Sequence, residues 1–350
     1  MKLHSATPEQ IRDGDVTDVY FPRTLEILED RDLNPTVRAE FVAKSLPEEW
    51  DWAVFAGLEE LLELAGELGV TVRAMPEGTL FGPLEPVLEI EAAYREFCVY
   101  ETAFLGFLCQ ATGVATGAAR CRLAAGDLPV VSFGARRLHP SVAPVVERAA
   151  YLGGCDGVAT VAGAELIGIE PSGTMPHALI LVMGDTVEAT RAFDEVVDPA
   201  VPRVSLIDTF QDEKFEAVRV AEELGDAVDS LRLDTPGTRR GDFHGILEEV
   251  RWELDLRGHE DLQLFASGGI GPAEIRELDD LVDGFGVGGA ISAAPIVDFS
   301  MDIVEIEGRP FAKRGKWSGS KQVFRCVACG RRRIATRTSR AFGAQTANDV

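Results

Sequence analysis

The sequence is poor in lysine and in positive charge. Only six of its 34 basic residues are lysine, it has 58 acidic residues, and its formal net charge is −24. Nucleic acids and acidic membrane surfaces are polyanions, so a chain this acidic is a poor partner for either. An acidic, lysine-poor surface stays hydrated in high salt, which favours a halophilic source over an ordinary acidic enzyme. Solubility and activity measured against KCl concentration would separate these two hypotheses.

Long hydrophobic runs are also absent. The longest uninterrupted apolar run covers residues 178–183, far short of the roughly 18 apolar residues that a membrane helix needs. The first residues, Met-Lys-Leu-His-Ser, contain no apolar core of a secretory signal. Six cysteines in 350 residues, four of them in apolar segments, suit a reducing compartment. We therefore expect a cytoplasmic protein without a membrane partner.

The length of 350 residues favours about two domains, and 46% hydrophobic with 26% charged residues is a globular composition. Residues 1–50 have no clear periodicity, but residues 1–117 as a whole predict an N-terminal α+β domain, rejoined by strands over 296–325. From Pro129, short β-rich runs alternate with helical stretches. This rhythm predicts an α/β barrel of parallel strands, which we place at residues 118–295. Residues 326–350 remain as a C-terminal tail.

Local patterns predict individual elements inside these domains. Apolar spacing indicates a helix over residues 53–69 and a long helix over 94–125, interrupted near Gly113 and Gly117. A β-rich run that starts at Leu166 predicts a strand within the barrel.

Chemistry-bearing residues follow six of the predicted barrel strands. In an α/β barrel the functional groups gather at the carboxyl ends of the parallel strands. The residues at these ends are Arg136, Arg137, His139, Thr174, His177, Asp208, Arg232, Asp234, Ser267, Gly268, Gly269, Gly288 and Gly289. Loops are polar in any protein, but six such strand ends in succession favour an active site at one mouth.

Two glycine-rich segments predict loops that bind anions. One runs over residues 267–271 and the other over 286–289, and backbone N–H groups in such loops bind phosphate. Glycine also serves plain turns, so two loops on neighbouring strands are better evidence than one. Arg136, Arg137 and Arg232 add positive charge suited to phosphate or carboxylate, the alternative for each being a salt bridge to a nearby acid. In so acidic a chain, these groups indicate a polyanionic small ligand.

Two aspartates in the same set are suited to a cation or a sugar. Asp208 and Asp234 are candidates to hold Mg²⁺ through water, or to bind ribose hydroxyls. The alternative is that each caps the helix that follows it.

The order and spacing of these motifs resemble nicotinate phosphoribosyltransferases of the archaeal type, over about residues 17–325. The segments that carry the resemblance are Asp18-Val-Tyr-Phe-Pro-Arg-Thr, Val99-Tyr-Glu-Thr-Ala-Phe-Leu, Ser132-Phe-Gly-Ala-Arg-Arg-Leu-His-Pro, Gly173-Thr-Met-Pro-His, Leu206-Ile-Asp-Thr-Phe, Arg232-Leu-Asp-Thr, Ala266-Ser-Gly-Gly-Ile and Gly286-Val-Gly-Gly. The resemblance implies a type II phosphoribosyltransferase with an N-terminal α+β sandwich domain and a partly open α/β barrel. It also implies a homodimer or larger oligomer in which a neighbour's N-terminal residues complete each site. The implied reaction joins nicotinate to phosphoribosyl pyrophosphate (PRPP), coupled to ATP, and gives nicotinate mononucleotide and pyrophosphate.

The resemblance also implies roles for matching residues. His177 matches the histidine that is phosphorylated during ATP coupling, although a lone histidine before an apolar helix would otherwise be a packed core residue. Tyr20 matches the aromatic residue that stacks on the pyridine ring. Arg136 and Thr174 match residues near the nicotinate and its carboxylate, and Arg137 and His139 belong to the same substrate-binding segment.

The sugar-phosphate end of the substrate is implied in the same way. Arg232 and Asp234 match a pair at the ribose and phosphates, and the 5′-phosphate loops match Gly268, Gly269, Gly288 and Gly289. Gly289 departs from the threonine of many relatives, which puts one phosphate hydrogen bond in doubt. Because the pyridine nitrogen is already nucleophilic, catalysis would consist of positioning and of neutralising the pyrophosphate by Mg²⁺ and arginine.

Cys326 and Cys329 form half of a zinc knuckle. Archaeal relatives can carry four such cysteines, but no second pair follows here, so zinc binding stays open without being favoured. From Arg331 the tail holds five arginines and one acid, and we expect it to be poorly ordered.

Three alternatives remain open. Quinolinate phosphoribosyltransferase has the same fold and product, but it needs extra cationic groups for a second carboxylate, and its usual Lys-Thr-Thr-Pro and His-Arg stretches are not visible. Nicotinamide phosphoribosyltransferase fits the glycine loop of residues 286–289 equally well. A non-catalytic barrel or zinc-binding module is the third, and it would consume no PRPP.

Overall fold

A computed structural model of the protein describes residues 3–235, 237–326, 329 and 332–336, with the side chains of residues 239 and 240 excepted. Contacts divide the chain into two compact units. The first comprises Met1–Thr112 together with the chain from Ile296 onward, and the second comprises Gly113–Pro295.

The helices and strands alternate along most of the chain. The α-helices are α1 (Pro8–Arg12), α2 (Tyr20–Asp30), α3 (Leu58–Leu68), α4 (Glu101–Ala125), α5 (Ala143–Leu152), α6 (Val161–Ile167), α7 (His177–Met183), α8 (Thr186–Val196), α9 (Glu213–Leu224), α10 (Gly237–Arg240), α11 (Phe243–Leu256), α12 (Pro272–Leu278) and α13 (Gly289–Ser292). The strands are β1 (Thr36–Ala43), β2 (Ala53–Val54), β3 (Thr71–Ala74), β4 (Leu80–Phe81), β5 (Pro86–Ala93), β6 (Val130–Ser132), β7 (Gly157–Val158), β8 (Val204–Leu206), β9 (Ser230–Leu233), β10 (Gln263–Ser267), β11 (Gly284–Val287), β12 (Phe299–Ile306), β13 (Arg309–Pro310), β14 (Lys321–Arg325) and β15 (Arg332–Thr336).

The first unit is built on a five-stranded antiparallel sheet in the order β13-β12-β1-β5-β3. Alternate residues of β1 point to opposite faces of the sheet. Ala39 and Phe41 are fully buried in the core, whereas Arg38 of the other face contacts the carboxylates of Glu91 and Glu305 at 2.5 and 2.6 Å. Of the strands expected over 296–325, β12 and β13 belong to this sheet, and β12 pairs with Val37–Ala43 of β1. Strand β14 belongs to the same unit but forms a separate two-stranded sheet with β15.

The second unit is built on a six-stranded parallel sheet in the order β7-β6-β11-β10-β9-β8. The predicted α/β class is confirmed, with parallel strands separated by helices. Among the described residues, β7 and β8 pair on one side only, so the sheet remains open and is not a closed eight-stranded barrel. All carboxyl ends of its strands meet at one edge, where the loops lie together.

Several local predictions were wrong in informative ways. The predicted strand at Leu166 is the end of helix α6, because Thr160 caps that helix by accepting from the N–H of Gly163, and Gly168 ends it at a φ of 79°. Helix α4 continues through Gly113 and Gly117 without interruption. A Cβ on Gly117 would lie 2.8 Å from the Cβ of Ala294, so this glycine allows a close approach and does not mark a break.

Two further expectations also need correction. The helix expected over 53–69 begins only at Leu58, because Ala53–Val54 pairs with β4 and Gly57, at a φ of 91°, turns the chain. The tail was expected to be poorly ordered, but its residues 332–336 form β15, which pairs with β14 over five residue pairs. Residue 331 and residues 337–350, which the same expectation covered, lie outside the described residues.

One helical stretch, Cys98–Ala125, is long and apolar enough to cross a membrane by length and composition, and 61% of its most apolar window is buried in the protein. Core helices of soluble proteins meet the same criteria, so this feature is weak evidence for a membrane span. Phe104 and Leu108 of this helix are fully buried among the core residues of the first unit.

Candidate active site

A pocket of about 610 Å³ opens at the carboxyl ends of the parallel strands of the second unit. Its walls come from the loops after β6, β7, β9, β10 and β11 and from the segment that leads into α7. Ten residues singled out from the sequence line it, namely Arg136, Arg137, Thr174, His177, Arg232, Asp234, Ser267, Gly268, Gly269 and Gly288. Residues up to 152 positions apart in the chain thus meet because parallel strands end at the same edge of the sheet.

Arg232 is held rigidly in the pocket. Its Nε donates to Ser267 Oγ at 2.8 Å and one terminal nitrogen donates to Thr174 Oγ1 at 2.7 Å. The guanidinium also lies 5.0 Å from the centroid of the Phe133 ring. Burial lowers the pKa of Arg232, while the nearby Asp234 opposes that shift. The pocket therefore contains a fixed guanidinium, sheltered from solvent, suited to an anionic ligand.

The first glycine loop is fitted around Asp234. Ser267 Oγ donates to Asp234 Oδ1 at 2.8 Å, and the Asp234 carboxylate lies 3.4 Å from Arg232. Gly268 has a φ of +80°, and a Cβ there would lie 2.9 Å from Asp234 Oδ1 and 3.0 Å from its carbonyl oxygen. Only glycine meets both demands, since it accepts the left-handed conformation and leaves room for Asp234.

Arg136 and Arg137 differ from many other arginines of this protein because they have no acidic partner in the part of the chain that the structure describes. Among the described residues, neither forms a salt bridge or a side-chain hydrogen bond. The guanidinium of Arg137 lies against the second glycine loop, where a Cβ on Gly288 would be 2.6 Å from its Nη1. Two uncompensated cations therefore line a pocket in a chain of net charge −24.

His177 is the first residue of α7, and its Nε2 lies 3.0 Å from Asp208 Oδ1. The Asp208 side chain is only 2% exposed, and burial raises the pKa of this carboxyl group while His177 opposes the shift. Asp208 does not line the pocket itself, but its carboxylate contacts His177, which does. Orienting the imidazole is thus a more direct role for Asp208 than holding a cation.

The other residues singled out from the sequence lie elsewhere. His139 is exposed and its Nδ1 accepts from the N–H of Ser141 at 3.2 Å, so it caps a turn and does not line the pocket. Gly289 follows Gly288 but is not a lining residue. Tyr20 belongs to the first unit, where it is 56% exposed and its hydroxyl donates to Asp18 at 3.4 Å.

The two cysteines of the half knuckle, Cys326 and Cys329, are exposed at the turn between β14 and β15. The described part of the chain contains no group of three or more His, Cys, Asp or Glu side chains placed to hold a metal ion. Mg²⁺ fits the pocket only in the manner usual for this ion, through substrate phosphates and water with a carboxylate such as Asp234.

Several pocket-lining residues were not identified as site residues from the sequence. They are Phe133, Ala135, Ala159, Thr160, Gly173, Met175, Pro176, Ala178, Leu206 and Gly286. Some of them lie inside the quoted motifs, so their position next to the predicted site residues could have identified them. Ala159 and Thr160 follow β7, a strand of only two residues. Because neither side chain is charged, nothing in the sequence marked them as site residues.

An α/β unit whose strand ends form an arginine-lined pocket with glycine loops is typical of enzymes that bind phosphorylated sugars. The family models "Quinolinate phosphoribosyl transferase, N-terminal domain" and "Quinolinate phosphoribosyl transferase, C-terminal domain" match residues 18–112 and 114–302. The chain belongs to this phosphoribosyltransferase family.

Individual relatives carry two different names. The crystal structure of nicotinate-nucleotide pyrophosphorylase from Pyrococcus furiosus is 52% identical, with a TM-score of 0.93, over 96% of this chain and 86% of that one. A nicotinate phosphoribosyltransferase of Mycobacterium tuberculosis is 34% identical over 74% of this chain and 58% of its own length. One of Bacillus subtilis is 31% identical over 71% of this chain and 57% of its own. The chain thus spans little more than half the length of these two relatives.

The expectation of a nicotinate phosphoribosyltransferase is corrected by these findings. Both domains match the quinolinate phosphoribosyltransferase models, and the 52% identical structure is a nicotinate-nucleotide pyrophosphorylase. Proteins named nicotinate phosphoribosyltransferase match at only about a third identity. The alternative that the sequence left open is therefore supported better than the first interpretation.

Proposed function

We propose that the protein is a quinolinate phosphoribosyltransferase, which forms nicotinate mononucleotide from quinolinate and PRPP. The ring nitrogen bonds to the anomeric carbon of the ribose as the bond to pyrophosphate breaks. The bond between C2 and its carboxylate then breaks and releases CO₂, and the electron pair left on C2 takes up a proton. The products are nicotinate mononucleotide, pyrophosphate and CO₂.

The observation that carries this proposal is the pair of uncompensated arginines, Arg136 and Arg137, in the same pocket as Arg232. Quinolinate brings two carboxylates, and PRPP brings a phosphate and a pyrophosphate, so the ligands together are strongly anionic. A second carboxylate requires extra cationic groups, and three guanidinium groups in one pocket provide them.

The pocket residues support the chemistry by position and charge. The pyridine nitrogen is already a nucleophile, so the protein has to align it with the anomeric carbon and stabilise the leaving pyrophosphate. Arg137 beside Gly288 and the loop at Gly268 and Gly269 are suited to the phosphate groups. Mg²⁺, when bound, would supply further charge neutralisation at the pyrophosphate.

Two features of the proposal follow from this substrate. Loss of CO₂ makes the reaction effectively irreversible, so it needs no coupled ATP hydrolysis. Once the ring nitrogen is quaternary, its positive charge stabilises the carbanion left at C2. The His177–Asp208 pair, with an imidazole 39% exposed at the pocket, is a group able to hold a proton in the same site.

The test is a turnover assay with PRPP, Mg²⁺ and quinolinate labelled in the 2-carboxyl group. We expect labelled CO₂, nicotinate mononucleotide and pyrophosphate to appear in equal amounts, without ATP. Parallel reactions contain nicotinate or nicotinamide in place of quinolinate. Turnover of nicotinate or nicotinamide, which lack the 2-carboxylate, with none of quinolinate would refute the assignment, and absence of any PRPP consumption would refute the activity as a whole.

We also infer a cytoplasmic homodimer or larger oligomer. Helix α2 supports it, because Tyr20 and Ile27 are 56% and 61% exposed and form an apolar surface next to the exposed Val19. Light scattering of the purified protein tests this inference, and a monomer at micromolar concentration would contradict it.

A further inference from the structure

Glu147 is a fully buried carboxylate that lies behind one wall of the pocket. It belongs to helix α5 and is 0% exposed. Its Oε1 accepts from the N–H of Ala159 at 3.0 Å, and its two oxygens accept from the N–H of Thr160 at 3.2 and 3.1 Å. The hydroxyl of Thr160 also donates to Oε2. These three donors compensate the burial of the carboxylate, which has no basic partner among the described residues.

The two residues that Glu147 holds both line the pocket. Their amide hydrogens and the Thr160 hydroxyl hydrogen are all taken by the carboxylate. The Thr160 hydroxyl oxygen also accepts from the N–H of Gly163 at 3.1 Å, which fixes the hydroxyl with its hydrogen towards the carboxylate. This wall therefore has no hydrogen-bond donor left for an anion, and it has a buried negative charge directly behind it.

We propose that Glu147 is a positioning residue that makes the Ala159–Thr160 wall the subsite of the pyridine ring. The inference rests on the proposed function and deepens it. Phosphates and carboxylates are disfavoured at this wall, because it lacks donors and is backed by a carboxylate. The neutral ring is tolerated there, and the ring becomes cationic when its nitrogen bonds to the ribose, which the buried charge favours. The anionic groups are left to the arginines and the glycine loops.

Gly163 offers a second way to disturb the same contact. A Cβ on Gly163 would lie 2.2 Å from Oε2 of Glu147. The substitution Gly163→Ala therefore displaces the carboxylate from Thr160 without changing its charge. Glu147→Gln keeps the shape but turns an amide N–H₂ group towards donors, so one or both backbone contacts are lost.

The test separates the two substrates kinetically. Both Glu147→Gln and Gly163→Ala should raise the KM of quinolinate by about tenfold, the equivalent of one or two lost hydrogen bonds, while the KM of PRPP changes by less than about twofold. The matched control is Glu165→Gln, an exposed carboxylate on α6, which should change neither value. Equal increases in both KM values, or no increase in folded variants, would overturn the proposal.

A measurement on the wild-type protein covers the case in which neither variant folds. With ¹³C-labelled alanine and threonine methyl groups, bound nicotinate mononucleotide should give nuclear Overhauser contacts from its pyridine protons to the methyls of Ala159 and Thr160. Contacts from ribose protons alone would overturn the proposal. If the wild type does not consume PRPP with quinolinate, the proposed function fails instead, and the methyl contacts with the same nucleotide still decide the ring subsite.

Discussion

Replacing Gly268 by alanine tests how the first glycine loop is fitted to Asp234. Alanine at a φ of +80° costs about 1–2 kcal/mol in a left-handed conformation. The new methyl group would also lie 2.9 and 3.0 Å from the carboxylate and carbonyl oxygens of Asp234, so the Asp234 segment has to move by roughly 0.5 Å to restore van der Waals contact. A shift of that size beside the reacting groups should lower kcat/KM by ten- to a hundredfold, since a displacement of about 1 Å can cost a factor of about 100.

Gly258→Ala is the matched control for backbone strain. Gly258 has a φ of +82°, nothing lies within 4 Å of its added Cβ, and it follows helix α11 outside the pocket. Both variants should lose stability through backbone strain, Gly268→Ala at least as much as Gly258→Ala, with a Tm decrease of about 2–4 °C per kcal/mol, but only Gly268→Ala should lose activity. Calorimetry and steady-state kinetics measure the two effects. Equal activities of the two variants would refute the reasoning.

Three further predictions concern charge and thiol chemistry. Arg137→Gln should raise the KM of PRPP at least about tenfold, since it removes a charge-assisted phosphate contact, and the KM increase should shrink in high salt; an unchanged KM would exclude Arg137 from the phosphate site. Burial raises the pKa of Glu101 to about 7, with Asp302 adding to the shift, so the folded state holds this proton more tightly and loses stability as the pH rises from about 4.5 to 7. Glu101→Gln should therefore have a higher Tm than wild type at pH 8 but not at pH 4, and the reverse order would contradict the sign. Cys326 and Cys329 are exposed, Cys109 is half-buried, and Cys98, Cys121 and Cys155 are buried, so two thiols should react quickly with a thiol reagent in the native protein, Cys109 more slowly and the other three only on unfolding; fast reaction of more than three would show that the buried thiols open readily.

The architecture of the second unit was largely predictable because most of its strands and longer helices carry a local signal. Short apolar runs, Gly and Pro boundaries and amphipathic helices recur in order, and parallel strands follow from that alternation. The strand expected at Leu166 failed because a capped seven-residue helix and a strand look alike over so short an apolar run. No strand was predicted at the position of β1, the central strand of the first sheet.

The missed strand β1 shows why the first unit was harder to predict. Its inner residues include Ala39 and Phe41, but its outer face carries Arg38 and Glu40, whose charges are matched by strands that lie far away in the sequence. Pairing of this kind depends on tertiary contacts, and a single sequence does not display them.

The candidate site was predictable where charge or glycine marks a strand end, and not where geometry alone decides. Arg232, Asp234 and the loop at Gly268 meet in the pocket as their positions on neighbouring strands required. Glu147 was not predicted, because a glutamate in a helix usually faces solvent, and only the fold shows that this one is buried against Thr160. The spacing of the motifs did not identify the substrate, because related phosphoribosyltransferases share the phosphate loops and differ in the groups around the ring.

A crystal structure with bound nicotinate mononucleotide tests the central claim most directly. We expect its 5′-phosphate within hydrogen-bond distance of the amides of Gly268 and Gly269 and of the Arg137 guanidinium, with the pyridine ring against Ala159 and Thr160. A nucleotide bound outside the pocket, or one whose phosphate lies against Thr160, would contradict it.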